Sequence, residues 1–172
     1  MSATDSTATN KEIVERIFDA VLSGGDFSVS DEYVAPDAKF YTHARPEPFI
    51  GPQGFREYIG SVRAGIPDTN IEVHDKVAEG DLVMASWTLH GTHTEKLMGV
   101  PPLGRTVALD ALELIRFRDG KIVEIRLMMD GINLMRQLGV MPAQTKPGLP
   151  PPLLAMVYAK RLAQRVRRSL GR

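Results

Sequence analysis

Two carboxylates and an arginine are predicted to share one face of a hairpin in the second half of the chain. Residues 105–140 read as a strand, a tight turn at Asp119-Gly120, a second strand and a short closing helix. Asp-Gly between two apolar-rich runs is a strong hairpin signal, because both turn residues tolerate positive φ. A two-residue turn fixes the register, so that residue 113 faces 126 and residue 109 faces 130. Alternation then predicts one packing face and one mixed face. The mixed face carries Ala111, Glu113, Arg126, Met128 and Asp130.

The mixed face has the groups that general acid/base chemistry needs. Apolar neighbours raise the pKa of a carboxyl group such as Asp130, and a cation such as Arg126 lowers it. A carboxyl group whose pKa lies near the working pH can take a proton and return it. Two plainer roles stay open: Asp130 caps the closing helix, and Glu113 forms a cross-strand ion pair with Arg126.

Further residues are candidates for contact with a substrate. Tyr58 on a helix and Trp87 on a strand could line a flat aromatic site, although such residues also pack in cores. The full set of candidates is Tyr41, His43, Tyr58, Trp87, His93 and Met128. The alternative for His93 is to hold the adjoining loop by hydrogen bonds. We expect no metal site, because the chain has no cysteine and its histidines lack ligand spacing. No dinucleotide or phosphate-binding fingerprint is present.

The periodicity around the hairpin predicts the elements that position these residues. Helices are expected at about 10–22 and 53–64, because apolar residues recur on one side of each. A short strand is expected at 39–42, and longer ones at 70–78 and 82–91. Strands joined by tight turns pair antiparallel, and helices must cover one sheet face. The chain is therefore predicted to be an α+β domain, a curved antiparallel sheet wrapped around helices with a pocket between them.

The composition of the remaining segments predicts how the chain is divided and which partners it has. Residues 1–9 are expected to be a disordered leader, 10–140 the folded domain, 141–152 a proline-rich linker and 153–172 a basic amphipathic helix. That tail helix would contact its own domain, a partner subunit or an anionic membrane surface. A net charge of zero gives no argument for nucleic acid. No apolar run approaches membrane-spanning length, so we expect a cytoplasmic protein.

Four segments resemble the SnoaL-like polyketide cyclase family. They are GPQGFREYI at 51–59, VAEGDLVMASWTLHGTHT at 77–94, MGVPPLGRTV at 98–107, and FRDGKIVEIRLMMD through QLGV at 117–140. The resemblance implies the cone-shaped fold of nuclear transport factor 2, a small hydrophobic substrate, no cofactor and a homodimer or larger assembly. It also implies an intramolecular aldol closure with Asp130 as general acid/base. Where the family usually has glycine and glutamate after His93-Thr94, this chain has Glu95-Lys96.

Two other functions fit the same fold. Epoxide hydrolases of this type use an Asp-Arg-Asp relay, and alternation puts Asp110 on the face opposite Arg126. A relay through Glu113, Arg126 and Asp130 is the remaining form of that hypothesis. The third hypothesis is a ligand-binding or dimerisation module without catalysis.

Overall fold

The computed structural model describes residues 3–142 except 44 and 98. The chain forms helix α1 (Ala3–Ile17), which continues as a π-helical turn (Phe18–Ser23), then α2 (Ser28–Tyr33), β1 (Val34–Tyr41), β2 (Phe49–Ile50) and α3 (Gly51–Gly65). It ends with β3 (Asn70–Glu79), β4 (Leu82–His93), β5 (Arg105–Arg118), β6 (Lys121–Met129) and α4 (Gly131–Gln137). Helix α1 starts ahead of the expected Asn10, within the segment expected to be a disordered leader. The tail helix expected at 153–172, and the linker beyond residue 142, lie outside the described residues.

The six strands form one curved sheet in the order β2-β1-β6-β5-β4-β3. Strands β3 to β6 are joined by tight turns and pair antiparallel, as expected. Strand β1 is longer than expected and pairs parallel with β6, so the sheet is mixed. The predicted α+β class and the sheet wrapped around helices are confirmed. None of the described helices is long and apolar enough to cross a membrane.

The central hairpin has the predicted turn and a different register. Asp119 and Gly120 both have positive φ, 52° and 72°, and Arg118 pairs with Lys121. Phe117 then pairs with Ile122 and Arg116 with Glu124, so one residue, Val123, is left over as a β-bulge. Beyond the bulge every partner differs by one from the regular register. Residue 113 faces 127, and residue 126 faces 114.

The core lies between the inner face of the sheet and helices α1 and α3. Val14 and Val21 are completely buried there, and the Phe18 ring meets Trp87 edge to face with centroids 6.0 Å apart. Arg63 ties α3 to the end of the π-helical turn, because its Nη1 donates to the carbonyl oxygens of Leu22 and Ser23. Helix α3 is thereby held over the open side of the curved sheet.

Helix α4 covers the part of β5 that β6 does not reach. Strand β5 has 14 residues and β6 has nine, and their pairing stops at Ala111 and Met129. Beyond that point the side-chain amide of Gln137 forms hydrogen bonds with both the N–H and the carbonyl of Ala108. Its Oε1 accepts from the N–H and its Nε2 donates to the carbonyl, each at 2.7 Å.

Candidate active site

The space between sheet and helices holds an apolar cavity of about 270 Å³. A smaller one of about 30 Å³ adjoins it deeper in the fold. The two share lining from Tyr58, Val62, Leu89 and Met129. The deeper part also reaches Trp87 and Glu113. The outer part is lined mainly by apolar side chains, with Glu57, Ser61 and Lys96 as its polar members. The predicted pocket between sheet and helices is therefore present.

Glu113 is the buried carboxyl group of this cavity. Its side chain faces inward from β5 and only 5% of the residue is exposed. Trp87 Nε1 donates a hydrogen bond of 3.3 Å to its Oε2. Burial raises the pKa of Glu113 to about 7, and the Trp87 bond lowers it by a smaller amount. A carboxyl group with such a pKa is present in both protonation states near neutral pH.

Tyr58 lies on the helical side of the same cavity and is almost fully buried. Burial, and secondly the negative charge of Glu113, raise the pKa of the Tyr58 phenol well above its usual range. The phenol therefore keeps its proton and is a hydrogen-bond donor at any physiological pH. Tyr58 lines both parts of the cavity and Trp87 only the smaller one, and their contact with a substrate stays a prediction.

The predicted contact between Glu113 and Arg126 is wrong. Because of the bulge at Val123, the two side chains lie on opposite faces of the sheet. Arg126 lies on the outer face, where its Nε donates to Glu124 Oε1 at 2.9 Å. Its guanidinium carbon lies 4.3 Å from the centroid of the Tyr41 ring. The relay through Glu113, Arg126 and Asp130 is not assembled in the described structure.

The expectation that Asp130 lies in dry surroundings is also wrong. Its side chain is exposed, and its Oδ1 accepts a 2.9 Å hydrogen bond from the Asn133 N–H, so it caps α4. It lines an open groove of about 370 Å³ on the outer face of the sheet, together with His43, Asp110 and Met128. The alternation that separated Asp110 from the other candidates fails, because Asp110 and Asp130 border the same groove.

The remaining candidates are divided between the two faces. Tyr41, His43 and Met128 lie outside the interior cavity, and Met128 is 61% exposed. His93 is completely buried at the end of β4, and neither ring nitrogen has a hydrogen-bond partner among the described residues. It does not line the cavity, so neither predicted role is seen for it. Within the described residues no three His, Asp or Glu side chains converge as a metal site.

Sequence reasoning missed most of the residues that line the cavity, among them Met129, Leu127 and Lys96. A regular alternation would put Leu127 and Met129 on the face away from Glu113, whereas the bulge brings them to the same side of the sheet as Glu113. The spacing of the apolar residues carried the signal, because Ile122 and Ile125 are three apart and cannot share a face of a regular strand. Lys96 lies in a loop without periodicity, and no pattern pointed to it.

The chain has a curved sheet, helices that close it, and an apolar cavity with a buried carboxyl group among the described residues. This arrangement is typical of enzymes that act on small molecules. The family model for SnoaL-like polyketide cyclases matches residues 12–138. The chain belongs to the SnoaL-like polyketide cyclase family, and the resemblance read from its segments is confirmed.

Two curated relatives of this chain are named as cyclases that act on methyl esters. The chain is 35% identical over 112 residues to nogalonic acid methyl ester cyclase of Streptomyces nogalater, an alignment covering 63% of this chain and 82% of the relative. It is 30% identical over 137 residues to an aklanonic acid methyl ester cyclase of Streptomyces peucetius, covering 77% and 92%.

Solved structures show the same fold. A candidate SnoaL-like polyketide cyclase from a Jannaschia species superposes with a TM-score of 0.73 at 25% identity, covering 79% of this chain and 95% of the other. IdmH, a candidate polyketide cyclase from Streptomyces antibioticus, superposes with a TM-score of 0.66 at 31% identity, covering 76% and 98%.

Proposed function

We propose that this protein catalyses an intramolecular aldol ring closure on an aromatic polyketide, with Glu113 as the general acid/base. The observation that carries the proposal is a buried carboxyl group with a pKa of about 7 in an apolar cavity. The curated relatives act, by their names, on methyl esters of nogalonic and aklanonic acid, and this supports a substrate of the same broad class.

The chemistry follows from the two protonation states of Glu113. Its carboxylate removes a proton from a carbon next to a carbonyl, and the resulting enolate carbon forms a bond to a second carbonyl carbon. The oxygen of that second carbonyl becomes an alkoxide and takes the proton back from Glu113. Tyr58 supplies a hydrogen-bond donor in the same cavity, where an oxygen gains negative charge. Every step is a proton transfer or a carbon–carbon bond formation, so we infer that no cofactor takes part.

Trp87 and the bulge have supporting roles in this proposal. The indole N–H fixes one Glu113 oxygen at 3.3 Å and leaves the other for the substrate. The bulge at Val123 keeps Leu127 facing inward, directly opposite Glu113 in the ladder. An apolar neighbour at that place maintains the low polarity that raises the pKa of Glu113.

The mass of the product separates ring closure from epoxide opening. We expect that incubation with aklanonic acid methyl ester gives an isomer of unchanged mass, because an intramolecular aldol adds and removes no atoms. In water enriched in oxygen-18, chromatography with mass spectrometry should show no heavy oxygen fixed in the new hydroxyl group under conditions where the substrate's carbonyls do not exchange. If a polycyclic epoxide is supplied in place of the ester, an epoxide hydrolase would give a diol containing one heavy oxygen. That product, with the ester left unconverted, would refute the aldol proposal. Wild-type protein denatured by heat is the control.

We also infer that the protein forms a homodimer through the outer face of the sheet. Leu112 and Met128 are cross-strand neighbours there, 49% and 61% exposed, and Met84 on β4 is 44% exposed. Such a cluster is typical of a surface covered by a partner.

The predicted dimer can be tested by changing one of these side chains. Met128→Glu places a charge in the apolar patch, so we expect a shift from dimer to monomer in sedimentation. Ile50→Glu is the matched control, since Ile50 is 49% exposed on the edge strand β2, away from the patch. A dimer that survives Met128→Glu and Leu112→Glu together would show that this face is not the interface.

A further inference from the structure

The rim of the interior cavity carries one positive charge without a counter-charge. Lys96 lines the outer part of the cavity and is exposed. No ion pair or hydrogen bond of its ammonium group is found among the described residues.

The other charged group of the rim is already neutralised. Glu57 lines the same cavity, and its Oε1 lies 3.6 Å from Arg45 Nη1. The Arg45 guanidinium in turn lies over the ring of Phe49, 3.5 Å from its centroid, and Phe49 is part of the cavity wall. The rim therefore presents a net positive charge, located at Lys96.

The backbone on both sides holds Lys96 at this place. The Glu95 N–H donates to the Gly65 carbonyl at 3.3 Å, and the Leu97 N–H donates to the Val100 carbonyl at 3.1 Å. The Leu97 side chain is 5% exposed and packs into the cavity wall. The loop is thus fixed at the residues before and after Lys96, and the ammonium group stays near the opening.

We propose that the substrate is an anion, a flat apolar ring system whose carboxylate stays at the rim against Lys96 while its rings fill the cavity. The inference rests on the proposed function and deepens it, because it names the class of substrate for the same cavity. A methyl ester, as in the names of the curated relatives, carries no charge at that position and leaves Lys96 without a partner. Lys96 is in this view a specificity residue, distant from the carbon–carbon bond that Glu113 helps to form.

The test compares two probes that differ in a single charge. Trp87 is the only tryptophan of the chain and lines the deep part of the cavity, so quenching of its fluorescence reports occupancy. The probes are anthraquinone-2-carboxylate and its methyl ester, titrated at pH 8 and low salt. We expect the wild type to bind the carboxylate roughly fivefold tighter than the ester, the size of an exposed charge pair at low salt.

Lys96→Met should abolish this preference and leave ester binding unchanged. Lys39→Met is the matched control, because Lys39 is an exposed lysine on β1 that does not line the cavity, and it should keep the preference. Equal or tighter binding of the ester by the wild type, an unchanged preference in Lys96→Met, or no quenching by either probe would each overturn the inference. Probe binding needs no turnover, so a failure of the cyclase proposal alone would leave the carboxylate preference intact.

Discussion

Glu113→Gln should reduce kcat/KM for ring closure by roughly a hundredfold to ten-thousandfold, the range of a lost general acid/base. The amide keeps the shape of the side chain and still accepts the Trp87 hydrogen bond, but it neither takes nor gives a proton. Stopped assays with aklanonic acid methyl ester as the assay compound, together with circular dichroism of the variant, measure the effect on a folded protein. In the wild type, kcat/KM should rise with pH through about 7, because the first step needs the carboxylate form.

Asp130→Asn is the informative control for this result. The asparagine still caps α4, and the residue is exposed on the other side of the sheet, so we expect turnover near the wild-type value. The opposite outcome, with Glu113→Gln active and Asp130→Asn inactive, would move the chemistry to the outer groove and contradict the proposed site.

The second large effect concerns stability as a function of pH. The folded-state pKa of Glu113 is raised to about 7 from an ordinary value of 4.5. Between these two values the folded protein binds more protons than the unfolded chain, so the free energy of unfolding falls as pH rises. Stability from this group is complete below pH 4.5 and is lost once the pH passes about 7. A shift of this size corresponds to a loss of about 3 kcal/mol.

Urea unfolding at several pH values between 5 and 8.5 measures this dependence. Glu113→Gln should remove most of it and be the more stable protein at pH 8.5, even though it is inactive. Glu12→Gln, a change at an exposed position on α1, should leave the slope as in the wild type. A wild-type stability that stays level or increases between pH 5 and 8 would show that Glu113 ionises without a penalty.

The sequence predicts most of the fold because its local signals agree with one another. The Asp119-Gly120 turn, the apolar stripe of α3 and the alternation in β4 each specify their element independently of distant contacts. The pairing of β1 with β6 could not be read in this way, because a parallel pair is made by packing between residues far apart in the chain. The first residue of α1 could not be predicted either, since the first residues of this helix carry no apolar stripe.

The sequence predicted the type of group at the candidate site, a carboxyl group in apolar surroundings, but it did not predict which residues surround that group. Glu113 was among the candidates, but its predicted partner Arg126 lies on the opposite face of the sheet. One extra residue at Val123 exchanges the two faces of β6 relative to β5, so a single bulge moved Arg126 and Met128 away from the cavity. Turn chemistry fixes the register only up to the first bulge.

The Gln137 side chain has a consequence for how the sheet meets other chains. Where β6 stops, β5 would present unpaired N–H and carbonyl groups, the template on which strands from another molecule add. The side-chain amide of Gln137 hydrogen-bonds both the N–H and the carbonyl of Ala108, and so it replaces the contacts that a further strand would make at this residue. The closing helix therefore removes one place at which a strand from another molecule could pair with β5.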